Sequence, residues 1–413
     1  GLQGDGNSLP RYHIIWGTGH RLVTLFQELL NAHAHKKNVS FHFEHKVSEF
    51  IFDAGKVKGC KAINKSTNTN ENFYAKHVIA ACGGISGNLD KVRAHWYKPW
   101  GKAPDELLNG SHQYADGLLH DHLEDNNAAV THLDKMWNYA AGIPHPQPHF
   151  SGHGLSLIPC KSALWLDADG KRIGPEPLVT GFDTNELCRR VSQLPDSYTW
   201  QVLNWRIAAK EFAISGSEHN PSIRDRKLFS FLKEVLFGNH KLIEALENES
   251  DHFIVADSLP TLVKKMNALN SNSRISEAQL SAEINDFDQM IRRGKGLWND
   301  DQIRRIQQAR AWRSDKFRTC SPKPILDKKS GPLIAMKLRV ISRKSLGGIQ
   351  TNLESQVLDK QGDTISGLYA IGEAAGFGGG GASGFKSLEG TFLSGCILTA
   401  RAAAQSIIQK HKG

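Results

Sequence analysis

No run of apolar residues in the 413-residue chain reaches membrane-spanning length, so no membrane insertion is expected. The opening GLQGDGNSLPRYHIIWG lacks the charged, then apolar, then small-residue order of a secretory signal. None of the six cysteines, at positions 60, 82, 160, 188, 320 and 396, forms a CxxC pair. Reduced thiols in the cytoplasm are therefore expected rather than a disulfide framework. No internal repeat is present, and the only low-complexity tract is the glycine run at 378–381. The net charge of +9 is not gathered in one place; short clusters such as Lys56 to Lys61 and Arg339 to Lys344 have acidic or apolar neighbours. That distribution gives a solvated basic surface and no stripe for nucleic acid, leaving an anionic cofactor or substrate as the specific use of the charge.

Thr18 precedes HRLVTLFQELLNAHA, where Leu22, Leu25, Phe26, Leu29 and Leu30 fall on one helical face, with Thr18 as N-cap. VSFHFEHKVSEFIFD predicts a strand in which Phe41 and Phe43 alternate, and GKVKGCKAI with ENFYAKHVIAACGG predicts a β-meander ending at Gly83-Gly84. From about residue 90 to 335 tryptophan, histidine and proline become frequent. SEAQLSAEINDFDQMIRR there carries a core stripe of Leu280, Ile284, Phe287 and Ile291. After 335 come MKLRVIS, the Leu346-Gly347-Gly348 turn, a hairpin through TNLESQVLDKQGDTI, the strand GLYAIGE and a final helix, roughly TFLSGCILTARAAAQSIIQ.

In GLYAIGE a buried strand ends in Gly372-Glu373, and a carboxylate there is placed to accept from ribose or ribityl hydroxyls. The glycine run leads to the N-terminus of the last helix, whose unpaired N–H groups suit the anionic edge of a reduced flavin. Small residues there, and at Gly347 and Gly348, let a flat ring approach the backbone.

Together these stretches resemble a known family. GLYAIGE, the glycine loop and LEGTFLSGCILTAR look like the C-terminal FAD-binding segment of the fumarate reductase and 3-ketosteroid dehydrogenase flavoproteins. AKHVIAACGG, LWLDADGKRI and RKSLGGI resemble that family's strand, cap hairpin and glycine loop, in the same order. PRYHIIWGTG, EFAISGSEHNP and GEAAGFGGGG resemble bacterial FAD-binding dehydrogenases. The family's opening βαβ unit with GxGxxG is not found, because GLQGDGNS follows no strand; the expectation is a truncated sequence.

The resemblance implies an α/β fold. A partial three-layer, Rossmann-like FAD-binding domain would comprise residues 1–90 and 336–413, with an inserted α+β capping domain at 91–335. By position, Val47 would meet the adenine, Gly83 and Gly84 the ADP half, Glu373 the ribityl hydroxyls, and Phe392 and Leu393 the flavin. Gly347, Gly348, Ser387 and Leu388 complete the cofactor-binding set.

On the substrate side the family's contacting histidine falls at Lys344, and its arginine positions are occupied by Ser387, next to Lys386, and by Val179, although Glu176 matches the family acid. A dicarboxylate needs two cationic clamps, so these changes count against fumarate or succinate. Lys344 would polarise a carbonyl or pair with the flavin edge, and Tyr139 or Tyr198 would move the proton. Tyr139, Tyr198, Trp200 and Trp205 would line an apolar pocket in the cap. His120 with His122, and His145 with His149, lack a third ligand, so no metal is expected. The implied activity is FAD-dependent dehydrogenation or reduction of a carbon–carbon bond beside a carbonyl in a small ketone- or steroid-like molecule. A fumarate-type enzyme and a fragment that no longer holds FAD are the alternatives; assembly into a homo-oligomer is left open.

Overall fold

The computed structural model describes residues 15–178, 184–377 and 392–412. Alternating apolar and polar residues make 45–74 an antiparallel meander of β1 (His45–Asp53), β2 (Lys56–Asn64) and β3 (Thr69–Tyr74). Its first strand starts later than the sequence pattern implies. Glu44 takes a φ of 57°, which interrupts an extended chain. Phe41 and Phe43 thus fall outside the ladder, stacked on each other at 5.7 Å and largely exposed. The helix at Thr18–Ala32 has Gly17, in the left-handed region, at its N-cap, and the Thr18 Oγ1 accepts from the His20 N–H at 3.4 Å. Among its described residues none is buried. The meander is followed by the short strand β4 (Val78–Ala80).

The middle of the chain builds an eight-stranded sheet among the described residues. Its members are β5 (Leu107–Asn109), β7 (Met136–Pro144), β8 (Gly154–Ile158), β9 (Leu164–Leu166), β10 (Tyr198–Asn204), β11 (Ala213–Ile214), β12 (Phe253–Ala256) and β13 (Leu333–Ser345), while β6 (Val130–Thr131) pairs elsewhere. The path runs β11-β8-β7-β13-β10-β9, and β12 and β5 also pair with β13. Leu333 to Ser342 are all buried, so this strand reads as a nearly continuous apolar run interrupted by Lys337 and Arg339. Trp165, Trp200, Val202, Leu203 and Ile334 belong to the largest apolar cluster, which covers this sheet. The helix Glu277–Arg292 joins it through Leu280, Ile284, Phe287 and Ile291, as its 3.6-residue period predicts.

Beyond β13, β14 (Gly348–Ile349) pairs with β6, and β15 (Gln356–Leu358) with β16 (Thr364–Ala370) forms the expected hairpin. β16 runs parallel to β4, with Leu368 opposite Val78 and Ala370 opposite Ala80. This pairing brings chain segments almost three hundred residues apart side by side, so that both strands release their carboxyl ends at the same edge. In open α/β sheets ligands bind in the crevice beyond those ends. A second apolar cluster, with Phe50, Val57, Leu123, Ile349, Val357 and Leu368, lies beneath. The final helix covers Phe392–Lys412. Cys60, Cys82, Cys160, Cys188, Cys320 and Cys396 are free thiols. No helix among the described residues is long and apolar enough to cross a membrane.

Gly348 has a packing reason that the sequence did not reveal. A Cβ there would lie 2.4 Å from the Ala374 carbonyl oxygen and 2.7 Å from the Gly376 nitrogen, both rigid backbone. Gly348→Ala is expected to cost about 1–3 kcal/mol by overpacking. Gly296→Ala, where a Cβ meets nothing within 4 Å, serves as the control. Urea unfolding of the cofactor-free protein measures both; equal midpoints would contradict the packing role.

Candidate functional site

The crevice begins where β4 and β16 end. Past β4, Gly83 adopts a φ of 76°. A Cβ on Gly84 would come within 2.2 Å of the Ser345 Oγ and 2.8 Å of Glu373 Oε1. Past β16, Glu373 enters a short 3-10 turn, Gly372–Ala375, and its Oε1 accepts from the Ser345 N–H at 2.8 Å. Ser345 Oγ in turn accepts from the Ile85 N–H at 2.8 Å. The Gly83-Gly84 loop, the end of β13 and Glu373 are thus tied together by hydrogen bonds. Burial pushes the Glu373 carboxyl upward, while the Ser345 N–H and the charges of Lys344 and Arg343 oppose that shift. Oε2 makes no hydrogen bond among the described residues.

On one flank of this knot is a cavity of about 580 Å3. Val47, Phe50, Ile79, Ala80 and Leu119 give it apolar walls, and Lys46, Asp116 and Tyr114 a polar rim. Lys46 Nζ and Asp116 Oδ2 are 3.0 Å apart. The size and the apolar walls suit the adenosine end of a dinucleotide. Val47 lines this cavity, and Ala81 and Cys82, just before Gly83, line it too.

On the other flank Lys344 emerges from β13. Its Nζ is 4.3 Å from the centroid of the Phe392 ring and 6.0 Å from that of Tyr139. Trp137 and Phe377 pack on Phe392 at 5.5 and 5.0 Å, closing a small apolar cluster that includes Leu346. Lys344, Tyr139, Glu373 and Phe392 therefore converge. Leu393, next along the helix, is half exposed. Ser387, Leu388 and the glycine loop at 378–391 lie outside the described residues, as does Val179.

Other expectations are redistributed. Tyr198 pairs with Arg339, five residues down β13 from Lys344, on the order of 16 Å along the strand and across it from Tyr139. Its ring lies over the Lys337 Nζ at 4.1 Å, and burial raises its hydroxyl. Trp200 is entirely core, while Trp205 lines a different cavity at the far end of β10. The tight fit of Gly347 and Gly348 is against protein: a Cβ on Gly347 would be 2.1 Å from the His132 oxygen.

Arg343 was missed. It donates to the Gly110 carbonyl at 3.2 Å and has its guanidinium 5.7 Å from the Tyr139 centroid. Its signal was adjacency to Lys344 in RKSLGGI.

His145 and His149 do gain a third imidazole, His153, and His145 also lies near Glu218 and His219. His145 stacks on His153 at 4.3 Å. The Nδ1 atoms of His145 and His153 accept from the N–H groups of Gln147 and His149. In the neutral rings the protons then sit on Nε2, so these nitrogens offer donors rather than the lone pairs a metal needs.

Residues 6–393 match the family described as FAD binding domain, and the chain belongs to it; the cofactor of this family is FAD. A KsdD-like steroid dehydrogenase of Mycolicibacterium smegmatis (strain ATCC 700084 / mc(2)155) is 40% identical over 404 residues, covering 94% of this chain and 73% of that protein. A KsdD-like steroid dehydrogenase of Mycobacterium tuberculosis (strain CDC 1551 / Oshkosh) is also 40% identical, over 98% of this chain and 73% of its own length. The fold is similar to 3-ketosteroid delta1-dehydrogenase from Sterolibacterium denitrificans in complex with 1,4-androstadiene-3,17-dione, with a TM-score of 0.62 at 16% identity over 91% of this chain. It is also similar to the open conformation of a flavocytochrome c3 fumarate reductase, with a TM-score of 0.60 at 17% identity over 95% of this chain. The chain spans 61% and 56% of the lengths of those two structures. The family recognised from the motifs and the α/β class are thereby borne out.

His120 yields a prediction about the turn that carries Glu373. It is buried in the helix Leu118–Asp125, and its Nε2 donates to the Ala374 carbonyl at 3.1 Å. Burial pushes its pKa down to about 4. The unfolded chain then binds a proton below pH ~6.5 that the folded chain refuses. The stability is complete above that pH and is lost as pH falls toward 4. His120→Gln keeps a donor and cannot titrate. Between pH 7 and pH 5 the wild type should lose about 1–2 kcal/mol more than this variant, read by denaturant unfolding at each pH. Parallel losses would exclude His120 as the source.

Proposed function

We propose that the protein is an FAD-dependent dehydrogenase that introduces or removes a carbon–carbon double bond beside a ketone in a steroid-like substrate. The observation carrying this reading is the meeting of Lys344, Tyr139 and Phe392 beside Glu373, in a chain of the FAD-binding family whose curated relatives are named steroid dehydrogenases. In it, residues 1–90 and 336–413 form the FAD-binding part and 91–335 the cap, with β13 spanning the join. The cytoplasm is its place of action.

Val47, Gly83 and Gly84 hold the adenosine half, Glu373 the ribityl hydroxyls, and the backbone at Phe392 and Leu393 the ring edge. When bound, the flavin supplies the hydride acceptor or donor. Lys344 faces the ketone oxygen and stabilises negative charge that develops there as the proton at the neighbouring carbon moves. Tyr139 carries that proton, with Arg343 against its ring favouring the phenolate. Trp137, Leu346, Phe377 and Phe392 exclude water from the same corner. The cation pair Arg343 and Lys344 gives a fumarate-type substrate its one supporting observation, but the Arg343 fork is partly spent on the Gly110 carbonyl.

Two variants test the reading in the flavin-loaded full-length protein, assayed with a 3-ketosteroid and, separately, with fumarate. Lys344→Met should lower turnover of the ketosteroid by about 10²–10³. Near-normal turnover with an unshifted flavin potential would remove Lys344 from the site, and turnover of fumarate alone would replace the substrate class. Glu373→Ala should weaken FAD binding by about 1.5–3 kcal/mol, measured by titrating the apoprotein; unchanged affinity would end its cofactor role.

A further inference from the structure

A second cavity, of about 900 Å3, lies at the opposite end of β13. It opens beneath the helix Trp205–Glu211, where the Trp205 N–H donates to the Pro332 carbonyl just before the strand starts. Lys344 lies eleven positions beyond Leu333, on the order of 36 Å along the strand. The cavity is thus separate from the flavin crevice.

Its walls carry Arg206, Lys210, Arg310, Arg313, Lys316 and Lys329, and no Asp or Glu lines it. None of these six forms an ion pair among the described residues. Like charges gathered in a concave site repel one another and raise the local potential for anions. Two buried polar atoms on the lining also lack partners. Thr319 is fully buried and its Oγ1 makes no hydrogen bond. Arg206 binds Ser330 Oγ through Nε at 3.3 Å, but its buried Nη2 binds nothing. Buried donors are ordinarily satisfied, so an unpaired guanidinium nitrogen and an unpaired hydroxyl within one lining are consistent with a site that takes an acceptor. The remaining lining is aromatic: Trp205, Phe237, His240 and Phe317. Trp205 and His240 are held by a 2.9 Å hydrogen bond between their ring nitrogens, which fixes the indole as a flat wall.

We propose that this cavity binds a phosphate-bearing planar heterocycle, a nucleoside diphosphate or triphosphate. The phosphates lie against Arg206, Thr319 and the lysines and arginines, and the ring lies against the aromatic wall. The volume matches a ligand of that size. The inference stands apart from the steroid reading, since it uses none of the residues of the flavin crevice.

The test is calorimetric titration of ADP, pyrophosphate and adenosine into the full-length, flavin-loaded protein, so that the cofactor crevice is already filled. ADP should bind, with affinity falling as salt rises, and should bind more tightly than pyrophosphate or adenosine. Arg313 and Lys316 are exposed, so their charge reversal spares the core. Arg313→Glu with Lys316→Glu should weaken ADP about ten- to hundredfold while the flavin spectrum stays unchanged. Absence of ADP binding at millimolar concentration, or binding that ignores both reversals, overturns the proposal. Pyrophosphate binding as tightly as ADP overturns the nucleotide assignment.

Discussion

The pairing of β13 on both edges along almost its whole length governs everything else in the structure. β10 and β12 flank Leu333–Met336, and β5 and β7 flank Val340–Ser342. A strand with no free edge and no exposed face has to be apolar, and ten consecutive residues are buried. Arg343 and Lys344 are the first positions where it meets solvent. The chemistry of the crevice is thus set by where this strand leaves the core. Ser345 closes it by anchoring the Gly83 loop and Glu373 at once.

What the sequence made legible was local or strongly patterned. The stripe from Leu280 to Ile291 and the strand of GLYAIGE appear as read, because period and punctuation suffice for them, whereas the Val78–Ala80 strand, read as the buried end of the meander, pairs with β16 in another sheet and exposes Ile79. Gly84, Glu373, Lys344 and Tyr139 come together because β4, β16 and β13 end or reach solvent at that point, while Val47 lines the cavity on the other flank. The failures have physical causes too. Phe41 and Phe43 look like strand by alternation, but the positive φ at Glu44 cannot be read from composition. Tyr198 and Tyr139 are equally plausible aromatics in sequence; only sheet order puts β13 between them. His153 joins His145 through a loop closure that no helical spacing announces.

The glycines show how one signal carries two meanings. Gly347 and Gly348 were expected to make room for a flat ring, yet each already faces protein backbone too close for a Cβ. The close protein backbone is by itself enough to require glycine there. Gly84 differs: the atoms that a Cβ would strike are Ser345 Oγ and Glu373 Oε1, the very atoms that knit the crevice. Close approach there serves the site through the protein rather than through the ligand.

The unbroken ladder of β13 also dictates how sequences of this kind can change in length. A one-residue insertion or deletion inside Leu333–Ser345 would turn every later side chain to the opposite face, sending Lys344 inward and breaking the Ser345 knot. The turns around Leu353 and Gly362, exposed and joined to nothing central, have no such restriction. Drift in length is therefore channelled into the hairpin that follows, and the strand works as a ruler whose graduation is a single peptide unit.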